Sequence, residues 1–105
     1  MVVLKFGLTE NGTNEYYLVG WDRYDDFDVL LNLLGTMTTK VVDTFDGIWF
    51  RTALLDKNGI LFKIIWHEDV GLYAFIPGQQ TEGNNAFIKG ILEQVIVLIN
   101  SKLRE

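Results

Sequence analysis

The stretch TFDGIWFRTALLDKNGILFKIIWHEDVGLYAF, residues 44–75, decides how this chain folds. Gly47, Gly59 and Gly71 recur in it twelve residues apart, each closing a tetrapeptide with a polar first residue: Thr44-Phe45-Asp46-Gly47, Asp56-Lys57-Asn58-Gly59 and Glu68-Asp69-Val70-Gly71. A polar opening residue with glycine fourth is the signature of a type I turn followed by a left-handed residue, the hairpin loop that carries a bulge. Glycine takes that last conformation without the clash a Cβ would make. Three such turns separated by apolar runs predict a four-stranded antiparallel meander over about residues 38–77.

Turn type sets register, and register sets which side chains share a face. A bulged turn at Gly59 opposes Leu54 to Phe62, Thr52 to Ile64 and Phe50 to Trp66. The same rule at Gly71 opposes Trp66 to Ala74 and Ile64 to Ile76. One face then collects Ile48, Phe50, Thr52, Leu54, Ile60, Phe62, Ile64, Trp66, Leu72, Ala74 and Ile76. A two-residue turn at Asn58-Gly59 would instead set Arg51 against Trp66 and put Lys63 on the face of Phe50. The nearly uninterrupted apolar layer favours the bulged register. It leaves Trp49, Arg51, Ala53, Leu55, Leu61, Lys63, Ile65, His67, Tyr73 and Phe75 on the opposite face.

The flanking segments complete an α+β domain. VVLKFGL and YYLVGW read as strands at about 2–8 and 15–20, joined by a turn at Asn11-Gly12. DRYDDFDVLLNLLGT reads as a helix, with Tyr24, Phe27, Leu30, Leu31 and Leu34 on one face, Asp22 as N-cap and Gly35 as the stop. NNAFIKGILEQVIVLINSKLRE is a second helix with a wide apolar stripe: Phe87, Ile88, Ile91, Leu92, Val95, Ile96, Leu98, Ile99 and Leu103. Asn84 or Asn85 caps it, and Lys89 and Glu93 pair four residues apart. The expected order is β-β-α-β-β-β-β-α, a single domain spanning residues 1–105, with both helices on one face of an antiparallel sheet.

Composition narrows the functional classes. There is no cysteine, so disulfides, thiolate metal sites and cysteine nucleophiles are excluded and a cytoplasmic setting is favoured. The N-terminus lacks a secretory pattern, and no apolar run approaches the length of a membrane span. A net charge of −5 argues against a nucleic-acid backbone binder and suits a basic partner. Hydrophobic residues make up 49 % of the chain before its ten glycines are counted. With the four tyrosines left out and the ten glycines counted the share is 57 of 105, about 54 %, against an average of about 45–50 % on that definition. A small domain has proportionally less interior to fill, so part of this excess belongs on the surface, where it marks an interface.

The face opposite the helices is the candidate site. Trp49, Arg51, Lys63, Ile65, His67, Tyr73 and Phe75 mix aromatic, aliphatic and cationic groups, the composition of an interface core rather than of a solvated sheet. Only the N-terminal hairpin is left to cover it; a curled sheet closed by that hairpin would turn these residues into a second core. The alternatives weigh less. His67, the single histidine, lies in WHEDVG with Glu68 and Asp69, which belong to the turn. Alternation sends adjacent strand side chains to opposite faces, and no second histidine completes a usual metal set. Asp22, Asp25, Asp26 and Asp28 make an acidic helix start that doubles as a docking patch for a basic partner. PGQQTEGNN precedes a helix, where anions bind, but lacks a phosphate-loop pattern. The expectation is a non-enzymatic protein-interaction module, self-associating through the outer sheet face or acting as an acidic, immunity-like inhibitor, with no cofactor. The alternatives are a small-molecule or anion site between sheet and helices and a minor enzyme built on His67.

Overall fold

The computed structural model describes residues 2–9, 12–37, 39–78 and 81–103. The chain is α+β in the order β1 (Val3–Leu8), β2 (Asn14–Val19), α1 (Asp26–Gly35), β3 (Lys40–Asp46), β4 (Phe50–Lys57), β5 (Ile60–His67), β6 (Gly71–Phe75) and α2 (Glu82–Leu103). The six strands make one open sheet in the order β1-β2-β6-β5-β4-β3, and every neighbouring pair is antiparallel. The N-terminal hairpin therefore does not fold across the sheet. It extends the sheet sideways, pairing Glu15 with Phe75, Tyr16 with Ala74 and Tyr17 with Tyr73. That placement brings Tyr16 and Leu18 into the core, 4 % and 2 % exposed.

The register of β4 against β5 is the two-residue one. Lys57 pairs with Ile60, Leu55 with Phe62, Ala53 with Ile64 and Arg51 with Trp66. Asn58 and Gly59 both have positive φ, 56° and 83°, as a type I′ hairpin turn requires. The Asp56 carboxylate accepts the Gly59 N–H at 2.9 Å. The bulged register expected at this turn is thus corrected by one residue, and one residue exchanges the two faces of β4. Ala53 and Leu55 are fully buried beneath the helices, and Phe50, Thr52 and Leu54 face outward. On β5 and β6 the expected faces hold: Phe62, Ile64, Trp66, Leu72, Ala74 and Ile76 are buried. Their pairing is offset by two residues from expectation, Trp66 with Leu72 and Ile64 with Ala74, a shift that leaves faces unchanged.

Of the three glycine turns, two have the left-handed glycine. Gly71 has φ 90° and follows a turn in which the Val70 N–H donates to the His67 carbonyl at 3.1 Å. Gly47 does not take the left-handed conformation. It is confined in another way, since a Cβ there would sit 3.0 Å from the Phe50 carbonyl oxygen and 3.3 Å from the Phe45 ring. Gly35 is also not left-handed: it lies inside the last turn of α1 with open space around it. These backbones predict opposite outcomes for one substitution. Gly59→Ala should cost about 1 kcal/mol through the left-handed backbone, while Gly35→Ala should stabilise by about 0.5–1 kcal/mol through helix propensity. Denaturant midpoints at unchanged m-value measure both.

The helices cap differently from expectation. α1 begins after Asp25, and Asp22 lies outside it; the Asp26 carboxylate instead accepts the Arg23 N–H at 3.0 Å. The start of α2 is capped by Thr81, whose Oγ1 accepts the Asn84 N–H at 3.1 Å. Lys89 and Glu93 approach to 4.0 Å as expected. Phe27, Leu30 and Leu34 of α1 and Ile88, Leu92 and Val95 of α2 are fully buried against the sheet. Asn100 ties the end of α2 to the start of the chain, bonding both the N–H and the carbonyl of Val2 at 2.8 and 3.0 Å. Asn11 of the first turn, Gln79 and Gln80 of the PGQQ loop and the side chain of Leu103 lie outside the described residues.

Candidate functional site: the outer face of the sheet

No described element covers the sheet face opposite the helices. Directly paired residues share a face, so the pairings define its rows. One row runs Tyr17, Tyr73, Ile65, Thr52 and Phe45 across five adjacent strands without a charge. The next carries Glu15, Phe75, Lys63, Leu54 and Asp43, with a cation at its centre and a carboxylate at each end. His67 and Phe50 form a third row nearer the β5–β6 turn. Ile65, Tyr73, Phe75 and Lys63 are half-buried by their neighbours, and Phe45 and Phe50 are exposed.

The aromatic groups are held in place. Tyr17 and Tyr73 lie with ring centroids 5.3 Å apart, Tyr73 and Phe75 stack at 6.3 Å, and Phe45 and Phe50 stack at 5.4 Å. The Tyr17 hydroxyl donates to Glu15 Oε1 at 2.6 Å. That carboxylate, with burial and the negative charge of Glu15 adding to it, pushes the phenol up to about 12. Burial raises the Tyr73 phenol as well, with Glu15 contributing. Both rings therefore stay neutral in the physiological range and present π-faces rather than charge.

Lys63, Ile65, His67, Tyr73 and Phe75 are on this face, where alternation along β5 and β6 placed them. Trp49 is in the loop between β3 and β4, 61 % exposed beside Ile48 at 80 %; its carbonyl accepts the Glu68 N–H at 2.9 Å. Arg51 is not on the outer face. The two-residue register turns it toward α1, where it is 6 % exposed. Its guanidinium grips Asp28 with two bonds of 2.9 and 2.8 Å, bonds Asp46 at 2.9 Å and donates to the Tyr24 carbonyl at 3.1 Å. It also lies over the Tyr24 and Phe27 rings, 4.4 and 4.6 Å from their centroids. Hydrogen bonding to Asp28 raises its pKa further, so it stays cationic. Arg51 is a structural cation.

The acidic segment is divided by the same contact. Asp28 is bound to Arg51, whose hydrogen bonds hold its carboxyl below the usual range. Asp22 gives its carbonyl to the Trp66 indole N–H at 2.8 Å and leaves its carboxylate exposed. Asp22 and Asp25 are exposed at the entry to α1, and Glu68 and Asp69 are exposed in the β5–β6 turn. Asp22 and Asp69 line one cleft of about 510 Å³, with Lys5 and Tyr17 also in its wall.

Other chemistry finds less support. His67 Nδ1 accepts the Asp69 N–H at 3.1 Å within its own turn. Among the described residues, no three His, Cys, Asp or Glu side chains converge as a metal set would. A second cleft at the start of α2 is lined by Asn14, Tyr16, Thr81, Glu82, Asn85 and Lys89. The Glu82 charge and the Thr81 cap occupy the position where an anion would sit. No helix of the described residues is long and apolar enough to cross a membrane.

Tyr17 of the first hairpin and Phe45, which the sequence reading places in the Gly47 turn, join the face, and so do Phe50, Thr52 and Leu54, which alternation around a bulged Gly59 hides. The signal that finds these last three is Asn58-Gly59 itself, the dipeptide that most strongly favours a two-residue loop. Comparison with protein-family models, with curated proteins and with solved structures finds no match for this chain.

Proposed function

We propose that the chain is a non-enzymatic protein-interaction module that docks a basic partner protein on the outer face of its sheet, as an acidic inhibitor of a basic enzyme would. The observation that carries this reading is the uncharged row from Tyr17 to Phe45 across five strands of a face that no described element covers. Solvated sheet faces alternate polar residues outward, and aromatic groups held rigidly in place supply contact area at low entropic cost. The partner is basic because the chain carries a net −5, and because Asp22, Asp25, Glu68 and Asp69 are exposed at the end of the sheet where Trp49 projects. Such carboxylates raise the association rate more than they deepen affinity. The cysteine-free chain suits work in the cytoplasm.

The test uses a partner recovered by cross-linking and then purified. Ile65→Glu sets a charge in the middle of the uncharged row and should weaken binding by about 100-fold, acting on dissociation. Replacing Asp22, Asp25 and Asp69 by Asn should slow association by about 10-fold and flatten its salt dependence. A partner that binds Ile65→Glu as well as the parent chain overturns the reading. So does sedimentation showing that the face is already occupied by a second copy packed sheet to sheet and released by Ile65→Glu.

A further inference from the structure

The sheet ends in two free strands, and they are built differently. β3 is irregular: its register against β4 shifts between Val41 and Asp43, and Lys40, Asp43 and Asp46 lie along it. Bulges and charges are the usual means of keeping an edge from pairing with another chain. β1 has neither. Its six residues pair with β2 without interruption, and Lys5 is its single charge. Val3, Phe6 and Leu8 along it are 54 %, 58 % and 66 % exposed. A straight apolar edge of this kind is a template for another strand.

The phase of its hydrogen bonds is set by the hairpin. The Thr9 N–H donates to the Thr13 carbonyl at 2.9 Å. Antiparallel bonding alternates along a strand, so the odd residues of β1 bond inward to β2. The N–H and carbonyl groups of Leu4, Phe6 and Leu8 then point away from the sheet.

We propose that β1 pairs antiparallel with β1 of a second copy, about a two-fold axis normal to the sheet and passing through Phe6. Opposed residues share a face, and such an axis preserves faces, so it must pass through a residue rather than between two. An axis through Lys5 would set two ammonium groups directly opposite each other. An axis through Phe6 sets each Lys5 opposite Gly7 of the other copy, which offers no side chain to clash. Phe6 then opposes Phe6, and Leu4 opposes Leu8, on the helix side of the sheet. All three outward-pointing residues find hydrogen-bonding partners, and the exposed Phe6 and Leu8 are covered. The joined sheet ends at both sides in the bulged, charged β3, and two outer faces lie side by side. This surface is separate from the one proposed above for a partner.

Sedimentation velocity across a concentration series should show a dimer. Phe6→Lys should raise its dissociation constant by at least about 100-fold, because it opposes two like charges. If that variant does not fold, Leu8→Lys carries the same test at a residue that is 66 % exposed. Since the chain has no cysteine, single replacements report the register cleanly. Phe6→Cys should form a disulfide-linked dimer on mild oxidation, whereas Lys5→Cys, opposed to glycine, should not. A monomer at all concentrations overturns the proposal. So does a dimer untouched by either lysine variant, or one that crosslinks through Lys5→Cys and not Phe6→Cys. Ile65→Glu should leave this dimer intact, which separates its failure from that of the outer-face reading.

Discussion

Leu55→Ala is expected to cost about 3–4 kcal/mol, and Leu54→Ala no more than about 1.5 kcal/mol. The two residues are adjacent and chemically identical, so only the face distinguishes them. Leu55 is fully buried opposite Phe62, in the middle of the core. Truncation there removes the transfer energy of the lost methyl groups and opens a cavity that the flanking strands cannot close. Leu54 is half-buried on the outer face, opposite the flexible stem of Lys63, and water reaches the space it leaves. In a domain of this size the larger loss lowers the melting temperature by more than about 12 °C. The bulged register would reverse the order of the two variants, so denaturant midpoints for the pair also test the type I′ turn at Asn58-Gly59.

Arg51→Ala is expected to cost about 2–3 kcal/mol, and Arg51→Lys about 1–2 kcal/mol. The guanidinium side chain is 8 % exposed, whereas its partners Asp28 and Asp46 are 54 % and 53 % exposed. Removing the cation therefore strands no buried carboxylate; both acids rehydrate. What is lost is the two-pronged bond to Asp28 and the packing of the guanidinium over Tyr24 and Phe27. Lysine restores the charge but neither the fork nor the planar stacking. The pair also shapes acid denaturation. Asp28 is held below its unfolded value by Arg51, so folding favours its ionised form. The stabilisation is complete above the unfolded value near 3.9 and is lost as pH falls through the lower folded value. Urea midpoints measured from pH 6 down to 2 should fall less steeply in Arg51→Ala and in Asp28→Asn than in the parent chain.

Arg51 also shows why part of the site was hidden in the sequence. Binary patterning assigns a charged strand residue to water, and here that assignment carried the whole of β4 to the wrong face with it. The apolar count could not correct it, because β4 is apolar on both sides: Phe50 and Leu54 on one, Ala53 and Leu55 on the other. The buried guanidinium is tolerated because Asp28, Asp46 and the Tyr24 carbonyl satisfy it. Two of those partners lie more than twenty residues away along the chain, beyond any local pattern. β5 was legible because one side of it is strictly apolar while Lys63 and His67 mark the other, and the faces of β6 follow from β5 through the turn that ends at Gly71.

Local chemistry determined the elements: the Asn58-Gly59 dipeptide and Gly71 closed hairpins, and periodic leucine and isoleucine made the helices, because backbone preference and side-chain spacing act within a few residues. Tertiary structure decided whether the two-residue register that Asn58-Gly59 favours could be kept with Arg51 on the helix side, and whether the first hairpin lies across the sheet or beside it. Both depend on contacts between distant segments, Arg51 with Asp28 and Tyr16 with Ala74. The free energy of such contacts comes from burial and from satisfied polar groups, which exist only once the layers have come together.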